Sequence, residues 1–390
     1  MPGGVSSGAP SGPTDRAQVA LCHEWLNARH GSEKTFEVMA AILPAADVYA
    51  LTSNPSSGLA FGGRPVTTTF VDRIPGLRNR RMLLLPMMPL AWRFASRQRY
   101  DVVVTSSHAC VKGFWPGRRA LHLSYCYTPM RYVWMSDVDG RRPRGVVSKA
   151  VAGRLRAWDL ASVAWVDEFA AISTTVQRRI AEIYGRKAEV IYPPVDVDRY
   201  TPDPDGARPG FALAVSRLVG YKRLDLAIEA CHRLGHPLVV AGAGPEEAPL
   251  RELVARLAAD VRFVIEPTDA HLCQLYRQAD LLVFPAEEDF GIVPVEAQAC
   301  GTPVVALARG GTLDTVVPGR TGHLVPGQDA DAFAHGIETT LNAGLDPVAC
   351  RENAVRFSTA RFNEQFLGWL IRVAAARGIE LGDLRPAAAA

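Results

Sequence analysis

Residues 281–307 have the sequence LLVFPAEEDFGIVPVEAQACGTPVVAL. The short apolar runs at its two ends predict strands, and the segment between them has helical character. Pro294 suits the first turn of that helix, where its missing N–H costs nothing, and Gly301 suits a left-handed cap at the far end. The stretch therefore predicts a strand, a helix over about 293–300 and a second strand.

The same alternation of short apolar runs with helix-period segments continues along almost the whole chain. It is typical of parallel sheets with crossover helices, so the fold class is predicted to be α/β. The predicted strands are 19–24, 101–106, 121–127, 169–173, 189–192, 211–216, 237–241, 261–266, 281–285, 303–307 and 323–325.

Two domains are expected because a chain of 390 residues exceeds what one hydrophobic core usually serves. A stretch dense in Pro, Asp and Gly separates two series of strands and is the candidate linker. The predicted boundaries are a disordered tail over 1–16, a first domain over 17–193 joined by a C-terminal helix over about 361–378, a linker over 194–208, a second domain over 209–358 and a tail over 379–390.

The composition limits the classes of partner and compartment. A net charge of +3 gives no reason to expect nucleic acid as a partner. The seven cysteines are scattered and never spaced as CxxC, which argues against a disulfide framework and a zinc site. No segment has the pattern of a signal peptide or of a membrane span. We expect a cytoplasmic protein, at most peripheral to the inner face of the cell membrane.

The start of the predicted helix is a candidate anion site. Gly291, Ile292 and Val293 lie there, where free backbone amides and the helix dipole favour a group such as a diphosphate. Glu288 precedes the helix, and Glu296 is placed in its first turn. Two such acids can grip hydroxyl pairs of a sugar and a ribose, or they can merely complement the helix dipole. The residues alone leave both alternatives open.

Glu288 and Glu296 are separated by seven residues and enclose an Asp-Phe-Gly sequence. This arrangement resembles the E-x7-E signature of retaining glycosyltransferases of family 4. The resemblance implies the GT-B fold, in which two Rossmann-like domains face each other across a cleft, the first binding the acceptor and the second the nucleotide sugar. It also implies that Glu288 contacts the transferred sugar, that Glu296 contacts the nucleotide ribose, and that the amides from Phe290 to Val293 contact phosphate or sugar.

A second candidate site lies at the beginning of the predicted second domain. Arg217 ends a strand and Lys222 precedes a helix, so both cations lie at the carboxyl end of the sheet, where open α/β folds place ligands. Two positive groups there can offset the charge on a leaving diphosphate, whereas the alternative is a solvated basic turn. The resemblance implies a phosphate-binding pair, and Gly242 and Gly244 match the Gly-x-Gly loop of the family.

The first domain carries matching segments near its start. Residues 23–26 and 31–34 resemble the opening of the same family. Gly31 is expected to leave the backbone close to the cleft, and Ser32 is expected to cap the following helix beside the phosphates. An ordinary capped helix is the alternative. His108, after another strand, is a further candidate for the cleft, with a satisfied histidine at a strand end as the alternative.

Residues 125–134, with the sequence YCYTPMRYVW, resemble a subgroup that includes bacterial mannosyltransferases of polysaccharide assembly. Tyr127 stands where the family has its active-site histidine. The mechanism favoured for the family is front-face attack, in which the departing phosphate oxygen accepts the proton of the acceptor, so no protein base is obligatory. Tyr127 can instead donate a hydrogen bond to the sugar or phosphate.

The resemblance implies a hexose donor in the form of a nucleotide-diphosphate sugar, with GDP-mannose preferred and a UDP-sugar as the alternative. The implied acceptor is a saccharide or polyprenyl-linked saccharide in cell-surface polysaccharide or glycolipid assembly. No metal is expected to be required, because the D-x-D sequences at 137–139 and 196–198 lie in a loop and in the linker. A GT-B epimerase, a phosphorylase and a non-catalytic sugar-nucleotide-binding subunit are the alternatives.

The segment 78–99, from Arg78 to Arg99, joins several arginines to bulky apolar groups. Such a segment can lie on an anionic membrane surface and present the enzyme to a polyprenyl-linked acceptor. The alternative is a core helix with solvated ends. Pro86 and Pro89 disfavour a long amphipathic helix.

Overall fold

The computed structural model describes residues 17–74, 84–115, 117, 120–135, 146–203, 206 and 209–381, without the side chains of residues 146–148. Within these residues the chain forms one sheet of seven strands and one of six, and every strand pair in both sheets is parallel. The predicted α/β class is confirmed.

The first sheet contains the five strands expected in this part of the chain and two that sequence reasoning does not predict, β2 and β3. Its strands are β1 (Val19–Leu26), β2 (Asp47–Ser53), β3 (Val66–Thr68), β4 (Val102–Ser107), β5 (Leu121–Cys126), β6 (Glu168–Ala171) and β7 (Ala188–Val190). Their order across the sheet is β3-β2-β1-β4-β5-β6-β7.

The second sheet contains all six strands expected from the sequence. They are β8 (Ala212–Val215), β9 (Leu238–Ala241), β10 (Val261–Val264), β11 (Leu281–Phe284), β12 (Val304–Leu307) and β13 (Gly322–Val325), in the order β10-β9-β8-β11-β12-β13. Every residue of β8, β9, β11 and β12 is buried, as expected for the apolar runs of a parallel sheet that is covered on both faces.

Each sheet has a point where the direction of strand order reverses. In the first sheet β1 lies between β2 and β4, and in the second β8 lies between β9 and β11. Connections leave the two neighbouring strands in opposite directions at such a point, which opens a crevice at their carboxyl ends. The order therefore predicts a ligand crevice beyond β1 and β4 and another beyond β8 and β11.

Helices connect most of these strands. They are α1 (Gly31–Ile42), α2 (Met88–Arg93), α3 (Arg131–Trp134), α4 (Val146–Val163), α5 (Thr174–Tyr184), α6 (Leu224–Leu234), α7 (Glu247–Leu257), α8 (Asp269–Gln278), α9 (Ile292–Ala299), α10 (Thr312–Thr315), α11 (Ala330–Ala343), α12 (Pro347–Val355) and α13 (Thr359–Ala375). Among the described residues, no helix combines the length and apolar character needed to cross a membrane.

The last helix, α13, returns to the first sheet. The rings of Phe362 and Phe366 pack edge-on against Tyr125 of β5, with centroid distances of 5.8 and 6.1 Å. Arg372 forms an ion pair with Glu189 at the edge of the same sheet. These contacts agree with the assignment of this helix to the first domain, although the domain boundaries themselves stay a prediction.

The predicted linker is docked on the protein over part of its length. The N–H of Val195 donates to the carbonyl oxygen of Phe357 at 2.9 Å. The Arg351 guanidinium donates to the carbonyl oxygens of Val197 and Tyr200 at 2.6 and 2.7 Å. These bonds hold the linker against the end of α12.

Candidate active site

A cavity of about 720 Å³ lies where the carboxyl ends of the two sheets meet. Trp25, Gly31 and His108 line it from the first sheet, and Arg217 and Glu296 line it from the second. The crevices predicted at the two reversal points therefore open into one shared space.

A second cavity of about 380 Å³ shares several lining residues with the first, and Tyr127, Lys222 and Glu288 also line it. Apart from Gly242 and Gly244, every site residue predicted from the sequence lines one of these two cavities. The predicted site residues are thus brought together from both halves of the chain.

The helix of the opening sequence, α9, begins one residue earlier than predicted, at Ile292, with Gly291 as the residue before it. Pro294 lies in the first turn as expected, and Gly301 follows the helix with a φ of +78°, in the left-handed region. The prediction that Glu296 lies in the first turn is wrong. Because the helix starts at Ile292, Glu296 is its fifth residue and lies in the second turn.

Glu296 is partly buried at the wall of the larger cavity. Its Oε2 accepts a hydrogen bond of 2.9 Å from the Tyr276 hydroxyl. Burial raises the pKa of Glu296, while that hydrogen bond and the charge of Lys34 oppose the rise. The carboxylate is therefore fixed in direction and has further acceptor capacity for a ligand hydroxyl.

Glu288 and Lys222 form an ion pair at the smaller cavity. Lys222 ends a short 3-10 turn, Gly220–Lys222, and its side chain is 9% exposed, against 27% for Glu288. The cation is therefore mostly sheltered from water, whereas the carboxylate retains access to the cavity.

A pair of glycines holds the loop that carries Glu288. The N–H of Gly311 donates to the carbonyl oxygen of Glu288 at 2.8 Å. A Cβ on Gly310 would lie 2.1 Å from that oxygen, and a Cβ on Gly311 would lie 2.1 Å from the Cα of Phe290. No other residue fits here without moving the loop. Sequence reasoning missed this pair, although two adjacent glycines after β12 are a readable signal.

Phe290 anchors the same loop by packing. It is buried, and its ring centroid lies 5.9 Å from that of Tyr192 and 5.5 Å from that of Phe357. Because its side chain is committed to this cluster, we assign any contact with a ligand to the backbone at this position.

Arg217 follows β8 and lines both cavities. Its Nη2 lies 3.3 Å from the hydroxyl of Tyr221, to which it donates. Gly242, by contrast, packs behind this strand end. A Cβ there would lie 1.9 Å from the carbonyl oxygen of Ser216, so close backbone packing explains this glycine, and its role in binding a donor stays a prediction.

The start of α1 meets the start of α9. A Cβ on Gly31 would lie 2.8 Å from Cδ1 of Ile292, so the absence of a side chain at Gly31 lets the two helix ends approach. The prediction that Ser32 caps α1 is wrong. His30 precedes the helix, and Ser32 lies within the first turn, where its hydroxyl donates to the Glu33 carboxylate at 2.8 Å.

Tyr127 holds the start of α1 by a hydrogen bond. Its hydroxyl donates to the carbonyl oxygen of Ser32 at 3.0 Å and accepts from the Ser106 hydroxyl at 3.0 Å. Nδ1 of His23 lies 3.0 Å from the same Ser106 oxygen. Burial raises the pKa of Tyr127, so its hydroxyl keeps the proton that it donates.

His108 lies at the larger cavity, with its ring edge-on to Trp25 at a centroid distance of 4.9 Å. The loop after it is held by Glu24, whose Oε1 accepts from the backbone N–H groups of Ala109 and Val111 at 2.7 and 2.9 Å. Burial raises the pKa of Glu24 to about 7, although these hydrogen bonds oppose the rise. Glu24 is a structural acid that sequence reasoning missed.

Of the two D-x-D sequences, only the one at 196–198 lies within the described residues. The one at 137–139 lies outside the described residues. In the other, Asp196 pairs with Arg199 at 3.4 Å, which is typical of a surface ion pair. Among the residues that the structure describes, no three His, Cys, Asp or Glu side chains are grouped so that they could hold a metal ion.

Two family models match the chain. The model described as Glycosyltransferase Family 4 matches residues 30–199, and the one described as Glycosyl transferases group 1 matches residues 205–357. The two matches together include most of the residues that line the larger cavity from either sheet.

The chain is also similar to curated proteins named D-inositol 3-phosphate glycosyltransferase. One from Mycobacterium sp. (strain JLS) is 37% identical over 187 residues, covering 43% of this chain and 42% of that protein. Another, numbered 2, from Catenulispora acidiphila is 34% identical over 238 residues, covering 53% and 54%. The chain spans about half the length of the curated relatives it matches.

Solved structures show the GT-B fold. Sucrose-phosphate synthase from Thermosynechococcus elongatus matches with a TM-score of 0.73 and 19% identity, covering 93% of this chain and 100% of that one. The HepE protein of Anabaena in complex with UDP matches with a TM-score of 0.66 and 20% identity, covering 90% and 100%. The fold expected from the sequence is confirmed.

Proposed function

The chain belongs to glycosyltransferase family 4, and we propose that it transfers a hexose from a nucleotide-diphosphate sugar to a glycan or lipid-linked saccharide with retention of anomeric configuration. One observation carries this proposal. The Lys222–Glu288 ion pair lies at a cavity that is also lined by the start of α9, and Glu296 lines the adjoining space. A cation, a helix N-terminus and two carboxylates in one cleft match the charges and hydroxyls of such a donor.

We assign the diphosphate to the start of α9, between the backbone amides there and the side chains of Arg217 and Lys222. We assign the ribose hydroxyls to Glu296, and the hydrogen bond from Tyr276 that fixes its carboxylate supports this assignment. We assign the sugar hydroxyls to Glu288, because its carboxylate is the more exposed partner of its ion pair.

In the proposed reaction the bond between the anomeric carbon and the diphosphate oxygen breaks. The acceptor oxygen bonds to the same face of that carbon, and the departing phosphate oxygen takes the acceptor's proton. Arg217 and Lys222 offset the negative charge that grows on the diphosphate. Tyr127 contributes by supporting the start of α1, since its proton is directed to the Ser32 carbonyl oxygen.

Two nucleotide sugars are candidate donors, and each is supported by a different observation. The resemblance of residues 125–134 to polysaccharide mannosyltransferases favours GDP-mannose, and it is our first candidate. Structures of the Anabaena HepE protein were solved with UDP and with UDP-glucose, which favours a UDP-hexose as the second.

Calorimetric titration with GDP-mannose, GDP, UDP-glucose and UDP tests the donor site. We expect one nucleotide series to bind, and Glu296→Ala to weaken its binding by about 10- to 100-fold, because hydrogen bonds to a charged group are lost. Glu338→Ala, an exposed acid on α11, is the matched control and is expected to bind as the wild type does. Equal binding by Glu296→Ala and wild type would refute the ribose assignment.

Turnover separates the proposed reaction from its alternatives. Donor hydrolysis and transfer to an added saccharide, followed in the titrated samples, are expected of a transferase. Release of an epimerised sugar would identify an epimerase instead. Nucleotide-sugar binding with neither hydrolysis nor transfer to any acceptor would identify a non-catalytic subunit.

A phosphorylated polyol is a second candidate acceptor. The curated relatives are named for D-inositol 3-phosphate, and Lys34 lines the first-sheet wall of the larger cavity, where a phosphate would find a cation. D-inositol 3-phosphate therefore belongs among the acceptors offered in the transfer assay.

We also propose peripheral contact with an anionic membrane through residues 84–99, the described part of the segment that begins at Arg78. Residues 78–83 lie outside the described residues. Leu90 of α2 and Phe94 just after it are 55% and 66% exposed. Two bulky apolar side chains beside arginines are typical of a membrane-surface segment.

Sedimentation with lipid vesicles tests this contact. The protein is expected to bind anionic vesicles better than neutral ones, because the arginines are attracted to the surface charge. The double variant Leu90→Ser/Phe94→Ser is expected to lower binding by about tenfold or more, since the apolar area is lost. Val348→Ser, 62% exposed on α12, is the control. Equal binding by the double variant would rule out contact through this segment.

A further inference from the structure

The loop before α9 contains three consecutive acids, Glu287, Glu288 and Asp289. They form ion pairs with cations from different halves of the chain. Glu288 pairs with Lys222 of its own half. Glu287 and Asp289 both pair with Arg179 of α5, which lies on the first sheet's side of the chain. The two neighbours of Glu288 are therefore tied to the opposite half.

The carboxylate of Asp289 is mostly shielded from water and forms ion pairs with two arginines. Its side chain is 14% exposed, and that of Arg179 is 15% exposed. Nη1 of Arg131 lies 3.4 Å from Oδ2 of the same carboxylate, so two arginines from the first half converge on one acid. Ion pairs that are this little exposed to water are screened less than exposed pairs, so they hold the local structure in place more strongly.

The same helix, α5, holds the loop at a second point. The hydroxyl of Thr175 donates to the carbonyl oxygen of Gly310 at 3.0 Å, and the next N–H, that of Gly311, donates to the carbonyl oxygen of Glu288. Thr175 and Arg179 are four residues apart and so lie on one face of α5. One helix face of the first half thus contacts the acids of the Glu288 loop directly and, at Gly310, the segment whose next residue bonds to the backbone of that loop.

We propose that Arg179 and Asp289 are positioning residues that make the placement of Glu288 depend on contact between the two halves. The proposal concerns how the proposed transferase site is assembled and rests on that function for its kinetic consequence. When the pair is formed, Glu288 is directed to the cavity. When the halves separate, both of these contacts with α5 are lost.

Arg179→Gln and Asp289→Asn test the proposal by two separate readouts. In hydrogen–deuterium exchange, the backbone amides of residues 286–293 are expected to exchange faster in both variants than in the wild type. In transfer assays, kcat is expected to fall by about 10- to 100-fold, the cost of a small misplacement of a reacting group. The Kd of the nucleoside diphosphate alone is expected to stay within about threefold, because Glu296 and Lys222 remain.

The double variant Arg179→Gln/Asp289→Asn is expected to lose no more kcat than the worse single variant, because the two residues act as one unit. Arg178→Gln, exposed on the same helix, is the matched control and should leave both readouts unchanged. Unchanged exchange in the loop overturns the inference whether or not the protein is active. Faster exchange in a chain that neither binds nor transfers a nucleotide sugar would leave the inference standing and overturn the proposed function.

Discussion

Replacing Lys222 by Met is expected to lower kcat for transfer by about 10²–10³-fold, as does the loss of a single preorganised group that stabilises transition-state charge. The side chain is sheltered at the smaller cavity, where water screens its charge poorly, so the charge would act strongly on the leaving diphosphate of the proposed reaction. Glu288 is 27% exposed and can accept hydrogen bonds from water in the variant, so the fold should persist. Steady-state kinetics with the donor identified by titration measure the effect.

Two further measurements make this result specific to the site. Lys187→Met, an exposed lysine outside both cavities, should keep the wild-type kcat. The urea midpoint of Lys222→Met should lie close to that of the wild type, which would exclude loss of folded protein as the cause. If Lys222→Met keeps more than about a tenth of the wild-type kcat, Lys222 does not offset the negative charge of the leaving group as proposed.

The parallel sheets were largely predictable because most of their strands are buried and rich in apolar residues. The strand β3 escaped prediction because it has three residues, none of them buried, and so shows no run or alternation. The strand β2 begins with an exposed Asp47 but continues with five buried residues, and this run was readable. Its omission also hid the reversal of strand order at β1, which marks the ligand crevice.

The candidate site was predictable where a motif is defined by the spacing of its residues, as with Glu288 and Glu296. The two errors of placement concern helix starts. Ser32 and Glu296 each lie deeper in their helix than expected, because His30 and Gly291 precede the helices without forming a side-chain cap. Where no capping side chain marks the first turn, sequence alone leaves the start of a helix uncertain by one or two residues.

Contacts across the cleft were beyond the reach of sequence reasoning. Arg179 and Asp289 are 110 residues apart, and neither belongs to a periodic pattern that would set one against the other. Strand order shows which loops share a crevice, but the orientation of a side chain toward the opposite half depends on how the two halves pack. The link between α5 and the Glu288 loop therefore required the structure.

The first half contains a buried ion pair, and removing its cation is expected to be strongly destabilising. Lys112 and Asp159 are 2% and 0% exposed and pair with each other. Asp159 also accepts hydrogen bonds of 2.8 Å from the indole of Trp134 and from the hydroxyl of Tyr184. Burial lowers the pKa of Lys112, but the nearby Asp159 carboxylate outweighs it and leaves the pKa above its usual range.

Lys112→Met is expected to lower the free energy of unfolding by about 3–5 kcal/mol, because it leaves the Asp159 carboxylate buried without its cation. Adding Asp159→Asn should recover more than half of that loss, since the stranded charge is then removed. Arg372→Gln, which breaks an exposed pair, should cost less than about 1 kcal/mol. Urea denaturation of the four proteins measures these differences. Equal stability of Lys112→Met and wild type would contradict the expected cost of leaving the Asp159 carboxylate buried without its cation.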